Sequence, residues 1–332
     1  MSVSVAIVGP PAAGKTTLFN ALTGGRGSGG VGMADVPDGR LQQLADAVHP
    51  KKIVPAQVRV ADAPAGSRAQ QVAAAREADV ILLVARCFGP EQDPAGDLAS
   101  ASLDMVLADL SSVEKRLEIA TKEARMNRPG AAVAAEALER AKEHLDGGKP
   151  LRTLKLEAAG MEALAPIFPV TLKPVVYVAN VADDAAQGDP VKAAAAADGA
   201  SIAIVAAALE AELAELDATE AAEYRASYGI TQSGLDAVAR AVWSASGLIT
   251  FFTAGEPEVR AWPCESDAPA PIAAGVIHTD FIKKFIRAEV TSVEELVAAG
   301  SMEALRTAGK LRVEGKEYRV KDGDTIFFRI GG

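Results

Sequence analysis

The run Gly9-Pro10-Pro11-Ala12-Ala13-Gly14-Lys15-Thr16 has the spacing G-x-x-x-x-G-K-T, a pattern of residue types suited to wrapping a phosphate tail. Glycines let successive backbone N–H groups turn toward one anion, and the N-terminus of a following helix adds partial positive charge. Gly9, Pro10, Pro11, Ala12, Ala13, Gly14, Lys15, Thr16 and Thr17 are therefore the expected cradle for a purine nucleotide. Lys15 would hold the β and γ phosphates and Thr16 would place its hydroxyl on Mg²⁺, which makes this pair the candidate catalytic residues.

Such a loop works only between a strand and a helix, and the flanks read that way: Val3 to Val8 are apolar and β-branched, and Thr17 to Leu22 carry the start of a helix. Further β-rich runs at Val58 to Ala61, Val80 to Val84, Val175 to Ala179 and Ile202 to Val205 alternate with helical patterns. That order predicts an α/β domain with a mainly parallel sheet covered on both faces. Ligands of such sheets bind beyond the carboxyl ends of the strands, so the residues just after each run carry the next candidates. Asp62 follows the second run and is the expected carboxylate near Mg²⁺, although Pro64 beyond it offers no N–H. Asn180, Val181 and Asp183 follow Val175 to Ala179. There Asn180 would meet a purine ring edge and Asp183 would accept from the N–H groups of guanine; a helix-capping cluster is the plain structural alternative.

Leu107, Leu110, Val113 and Leu117, at helical spacing and interleaved with charges, predict an amphipathic helix. Asn127-Arg128-Pro129-Gly130 breaks it, and Ala135, Leu138, Ala141 and Leu145 resume the stripe. An antiparallel helical hairpin over roughly Ser102 to Ile167 is expected, as a partner-binding arm or a packing element. After a helix over Gly234 to Gly247, β-like runs at Leu248 to Thr253, Val276 to Thr279, Phe285 to Val290 and Thr325 to Ile330 predict a separate small α+β domain. The division expected is 1–101 with 168–247 for the nucleotide domain, 102–167 for the hairpin and 248–332 for the last domain.

With 332 residues, 49% of them apolar, the chain can bury two or three cores. No run approaches the ~20 apolar residues of a bilayer span, and no basic leader or signal segment precedes the first strand, so no membrane role and a cytoplasmic location are expected. Cys87 and Cys264 form no disulfide or metal pattern, and Cys87 reads as a core residue. The net charge of −10 repels nucleic acid as a whole; DNA is not an expected partner, and RNA would need a local basic patch. Lys283, Lys284, Arg287, Lys310, Arg312, Lys316, Arg319 and Lys321 are candidates for one, with a solvated mixed surface as the plainer reading.

Beyond these readings, the whole chain resembles the YchF (Obg-like ATPase) family of translation-factor-related P-loop NTPases. The segments that carry the likeness are Val84 to Phe88, Lys173 to Val181, Glu210 to Asp217, Phe252 to Glu256, Ala274 to Phe281 and Phe285 to Val290. The resemblance implies a G-domain, a helical coiled-coil insertion and a C-terminal TGS-like domain of β-grasp fold. It also implies ATP preferred over GTP, Mg²⁺ as cofactor, and a ribosomal RNA or protein partner.

The departures from the family fall near the chemistry. Ala12 and Ala13 stand where members usually carry Asn and Val, which removes an asparagine associated with potassium binding in related GTPases. No threonine occurs between Thr23 and Asp62, so a second Mg²⁺-binding threonine is absent. The second switch is shortened to Ser67-Arg68-Ala69-Gln70-Gln71, the usual Ser-Ala base loop becomes Val205-Ala206-Ala207, and Asp183, beside Asp184, replaces the usual Glu. Gln70 and Gln71 read as surface helix residues ahead of water-orienting ones, and His278 as a structural or partner-contacting residue. The function expected is a slow ATPase working with the ribosome. Its alternatives are a hydrolysis-deficient nucleotide-dependent adaptor and a GTP-preferring NTPase; a small-molecule kinase lacks any evident lid or substrate arginines.

Overall fold

The computed structural model describes residues 3–62, 67–90, 92–182, 184–227 and 233–331. Its strands are β1 (Val3–Val8), β2 (Val31–Val36), β3 (Ile53–Val54), β4 (Ala56–Asp62), β5 (Val80–Cys87), β6 (Val175–Val181), β7 (Ser201–Val205), β8 (Leu248–Ala254), β9 (Val259–Glu265), β10 (Phe285–Ser292), β11 (Arg312–Glu314) and β12 (Asp324–Ile330). They form two six-stranded sheets, ordered β2-β4-β1-β5-β6-β7 and β11-β10-β12-β8-β9-β3. The chain divides into two compact units, one of Val3–Ala34 with Arg59–Ala245 and the other containing Asp35–Val58 with Ser246–Gly332.

In the first unit β1, β5, β6 and β7 run parallel, with Val5 beside Val80 and Ile81 beside Val175. Their near-continuous apolar runs are what a sheet covered on both faces requires. Every residue of β6 is buried. Cys87 is fully buried in this core, and burial pushes its thiol up to about 11, in keeping with a packing role.

Helix α1 (Lys15–Leu22) follows the phosphate-loop sequence, α2 (Gly39–Val48) follows β2, and α3 (Arg68–Glu77) opens on a capping box between Ser67 and Gln70. The long helix α4 spans Pro94–Arg125, beginning ahead of the expected Ser102 because Asp93 caps the Gly96 amide and Pro94 supplies a preset first turn. Its first half packs Leu98 and Met105 on the sheet; its second half packs Val106, Val113 and Ala120 against Leu138, Ala141 and Leu145 of α5 (Ala131–Asp146). The hairpin turn lies at Asn127 and Gly130, both at positive φ, as the break in the sequence predicted. Leu107 is a correction to the expected stripe: it is exposed, and Val106 takes the buried position.

In the second unit β8 and β9 pair antiparallel, as do β10 with β12 and β11, while β12 runs parallel to β8. Val276 to Thr279, expected as β-like, is instead the end of helix Ala270–Ile277 and the residues after it. Ala270–Ile277 has no polar side chain and so carries no period to distinguish the two, and here Ala270, Ala273 and Ala274 bury one helical face. Residues 35–58, inside the stretch assigned to the nucleotide domain from sequence, belong to this second unit. There β3 pairs with β9, and Arg40 of α2 bonds Asp322 at 2.6 Å and lies over the Phe252 ring. Among the described residues no helix is long and apolar enough to cross a membrane.

Candidate functional site

β1 carries the chain to the carboxyl edge of the sheet, where two glycines make the loop possible. Gly9 has φ 149°, and a Cβ there would lie 2.3 Å from the Val84 carbonyl oxygen of β5. Gly14 has φ 83°, and its Cβ would lie 2.2 Å from Nδ2 of Asn180. Both places exclude a side chain by sterics as well as by backbone conformation. Ala12 also adopts a left-handed φ of 59°, while Ala13 is fully buried. Pro10 and Pro11 have no N–H and the Gly9 amide donates to Gln71 Oε1, which leaves Ala12 and the residues after it as the loop's remaining donors. The first helical backbone bond runs from the Leu18 amide to Gly14 O at 2.9 Å. The amides of Lys15, Thr16 and Thr17 therefore precede the ladder and form the electropositive start of α1.

The Lys15 side chain is only 6% exposed, and its Nζ donates to the carbonyls of Gly9 at 3.0 Å and Pro10 at 2.7 Å. Burial pulls its pKa below the ordinary lysine value, with the Asp62 carboxylate partly offsetting that pull. Among the described residues no carboxylate forms an ion pair with it. The ammonium is thus held by neutral groups and has unmet demand for negative charge.

Thr16 Oγ1 donates to Asp62 Oδ2 at 2.7 Å, joining the helix start to the end of β4, and the Asp62 amide donates to Gly30 O at 2.9 Å. Oδ1 of Asp62 is buried with no hydrogen-bond partner among the described residues. A hydroxyl and an orphaned carboxylate oxygen side by side are hard oxygen donors, a set that suits Mg²⁺ shared with phosphate. No group of three or more His, Cys, Asp or Glu that could hold a metal occurs among the described residues.

Asn180, buried at the end of β6, donates from Nδ2 to Ala13 O at 2.9 Å and accepts at Oδ1 from the Ala207 amide at 3.0 Å. It therefore ties the phosphate loop to the start of helix Ala207–Leu213. Val181 is buried as the last residue of β6, and Asp183 lies outside the described residues. Asp184 caps the Ala186 amide. Lys15 with Thr16, Asp62 and Asn180 thus converge on one loop from three places in the sequence.

Comparison with known proteins agrees with this geometry. Residues 4–123 match the family model described as 50S ribosome-binding GTPase, and residues 248–331 match a model named for the C-terminal region of YchF GTPases and described as a protein of unknown function. The chain is 38% identical to the Bacillus subtilis ribosome-binding ATPase YchF, over 99% of this chain and 100% of that protein. It is 36% identical to the Escherichia coli O157:H7 protein of the same name, over 99% of each. The chain belongs to the YchF family. The fold agrees throughout: the structure of the Schizosaccharomyces pombe YchF GTPase superposes with a TM-score of 0.88 at 27% identity, covering 99% of this chain and 98% of that one.

Against the YchF background, three positioning contacts stand out that the sequence did not disclose. Gln71 Oε1 accepts from the Gly9 amide at 3.0 Å, so this residue of α3 braces the first glycine of the loop. Gln70 is committed to the Ser67 capping box. Asp109, fully buried in α4, accepts from the amides of Val170 and Thr171 and from the Thr171 hydroxyl. Buried Glu210 accepts from the Ser233 hydroxyl at 3.0 Å and the Gly234 amide at 2.5 Å, holding the start of helix Gly234–Ala245. Their signals in the chain were single polar residues in helical runs, which mark nothing until their partners are placed. A cavity of about 130 Å³ between the loop, α3 and α4 is lined by Pro10, Pro11, Gln71, Asp97 and Met105. His278 is exposed in the second unit, accepting from the Asp280 amide at 3.2 Å.

Proposed function

We propose that the chain is a nucleotide-dependent ribosome-binding protein that hydrolyses ATP slowly, as the names of its relatives suggest. The observation that carries the nucleotide reading is the buried Lys15 ammonium, bonded among the described residues only to loop carbonyls, beside the amides that precede the hydrogen-bond ladder of α1. A triphosphate would supply the missing negative charge, Lys15 exchanging the Gly9 and Pro10 carbonyls for β and γ oxygens. Thr16 and Asp62 would hold Mg²⁺, which when bound neutralises phosphate charge. The amide of Asn180 keeps one N–H beyond its bond to Ala13, available to a purine edge, and Asp183 would choose between adenine and guanine.

Water attack on the γ-phosphorus, releasing ADP and phosphate, would proceed here without a strong side-chain base. The side-chain Oε1 atoms of Gln70 and Gln71 already accept from the backbone amides of Ser67 and Gly9. That same observation favours a second reading, an adaptor that binds nucleotide without turnover. In either case the nucleotide region is expected over 1–101 and 168–247 apart from residues 35–58, which belong with the C-terminal unit, the arm over 102–167, and a TGS-like partner-facing domain over 248–332. A ribosomal partner implies a cytoplasmic site of action.

The test is a single-turnover assay with protein in excess of ATP and Mg²⁺ at millimolar concentration, run beside ribosome co-sedimentation with and without nucleotide. Phosphate release that disappears in Lys15→Ala supports the ATPase. Saturable binding without release supports the adaptor. Absence of both ATP and GTP binding sinks the proposal. Competition between labelled ATP and GTP, repeated in Asp183→Glu, reads the base preference.

A further inference from the structure

Helix α3 packs on β1, and its direction decides which of its residues overhang the phosphate loop. It follows Asp62, which Thr16 bonds beside the loop, and it ends at the other end of β1, where the Asp79 amide donates to Ser4 O at 2.8 Å and the Ser4 amide to Asp79 Oδ2 at 2.8 Å. The helix therefore starts at the phosphate edge and runs away from it. Gln71 accepts from the Gly9 amide at 3.0 Å, which fixes the first turn against the first residue of the loop. Arg68 precedes Gln71 by three residues, so it shares the same helix face and lies about 4.5 Å nearer the edge where the phosphates would sit. Arg68, Gln71 and Val72 accordingly line one cavity with Gly9, Pro10 and Pro11.

The stability of α3 does not account for an arginine at this place. A cation in a first turn opposes the helix dipole, that turn holds no acidic residue, and the Ser67 to Gln70 capping box already serves the helix start. The Arg68 side chain is 76% exposed, and among the described residues its one partner is Asp104 of α4, at 3.2 Å across the same cavity. An ion pair so open to water holds its members weakly. A guanidinium binds phosphate more firmly, because its planar fork meets two oxygens at once. Asp104 thus keeps Arg68 beside the loop without committing it.

We propose that Arg68 is a catalytic residue of nucleotide hydrolysis: with a triphosphate in the loop, its guanidinium leaves Asp104, crosses the cavity and donates to the phosphoryl oxygens as charge shifts among them. In that step the oxygen of water forms a bond to the γ-phosphorus, and the bond from that phosphorus to the bridging oxygen breaks with its electron pair left on ADP. One proton of the water departs on the released phosphate and the other goes to solvent. Arg68 takes up no proton; its fixed positive charge lies against the charge that develops in the transition state, adding to that of Lys15. The inference rests on the nucleotide reading and favours the ATPase over the adaptor.

The experiment is titration of the full chain into fluorescently labelled ADP at millimolar Mg²⁺, with and without aluminium fluoride, which stands in for the γ-phosphoryl group during transfer. A contact made only in the transition state shows in the second titration and not in the first, so Arg68→Ala is expected to bind ADP within about twofold of wild type. With aluminium fluoride it is expected to lose on the order of 10²-fold, the worth of one preorganised contact to developing charge. Arg68→Lys, which keeps the charge and lacks the fork, should lose roughly 10-fold. Guanidinium chloride at low millimolar concentration should recover part of the loss in Arg68→Ala and leave wild type unchanged. Asp104→Asn should bind the aluminium fluoride state roughly 1.5- to 5-fold more tightly, as for release of one exposed ion pair. Single-turnover phosphate release should follow the same order, and melting temperatures should not move.

An Asp104→Asn protein that weakens as Arg68→Ala does would make the pair structural and overturn the inference. If aluminium fluoride tightens ADP binding in wild type and equally in Arg68→Ala, the inference falls while the ATPase reading stands. If aluminium fluoride adds nothing in wild type, the inference falls and the adaptor reading is left. If wild type binds no ADP, it is the nucleotide reading that falls.

Discussion

Lys15 and Glu289 are both buried ions, one in each compact unit, and their neighbours differ in kind. Lys15 faces backbone carbonyls, and burial lowers its pKa. Glu289 faces three arginines, and the hydrogen bonds from Arg329 first and Arg306 next outweigh burial and hold its carboxyl at about 2. A charge hydrogen-bonded only to dipoles, with a carboxylate acting on it at a distance, is unfinished, and a ligand of opposite sign completes it. A charge met by more than its equal is finished, and what is left over belongs to the surface. The first arrangement makes a pocket for an anion, and the second makes a stable platform.

The largest effect that would break this comparison is at the brace behind Lys15. Gly14→Ala places a methyl 2.2 Å from Asn180 Nδ2 in a backbone conformation at φ 83°. We expect about 3 kcal/mol lost in urea unfolding, the sum of left-handed strain and overpacking; a loss under ~1 kcal/mol would show that the loop is softer than drawn. Next is Lys15→Met, which keeps the buried stem and removes the charge. Nucleotide affinity should fall on the order of 10²-fold, the worth of two charge-assisted hydrogen bonds. The urea midpoint should hold or rise, because the burial that disfavours the ammonium outweighs the attraction of Asp62 and no carboxylate among the described residues forms an ion pair with it. A protein that destabilises in parallel would mean that the ammonium is structural.

The smallest effect sharpens the other side. Because the folded pKa of Glu289 is depressed, its stabilisation is complete above the ordinary value of 4.5 and is lost as pH falls toward about 2. Glu289→Gln should flatten the acid limb of the stability curve across that interval and leave the limb above pH 6 parallel to wild type, read by urea melts at successive pH values. An acid limb of unchanged slope would assign acid sensitivity to other carboxylates.

Much of the phosphate loop was legible because its signals are local. The strand before Gly9, the helix after Lys15 and the two glycines lie within a short span, and each acts through backbone conformation that residue type alone constrains. The apolar runs of β5 and β6 were legible for a similar reason, since a fully covered parallel strand must be apolar along its length. The helical arm was legible in its turn, though its start was placed late and Leu107 was put on the wrong side: the period gives a face only to within about one position. The excursion of residues 35–58 into the C-terminal unit had no local mark, because β3 is two residues long and becomes a strand only beside β9.

The order of elements, the loop that bends around an anion, and the lysine and threonine within it were determined by the chain itself, through steric limits and periodicities acting over a few residues. Which side chains hold that loop in shape was decided only by tertiary structure: Asn180 reaches Ala13 across 167 residues and Gln71 reaches Gly9 across 62. A hydrogen bond needs its partners within about 3 Å, and at those separations only the packing of the core sets the distance.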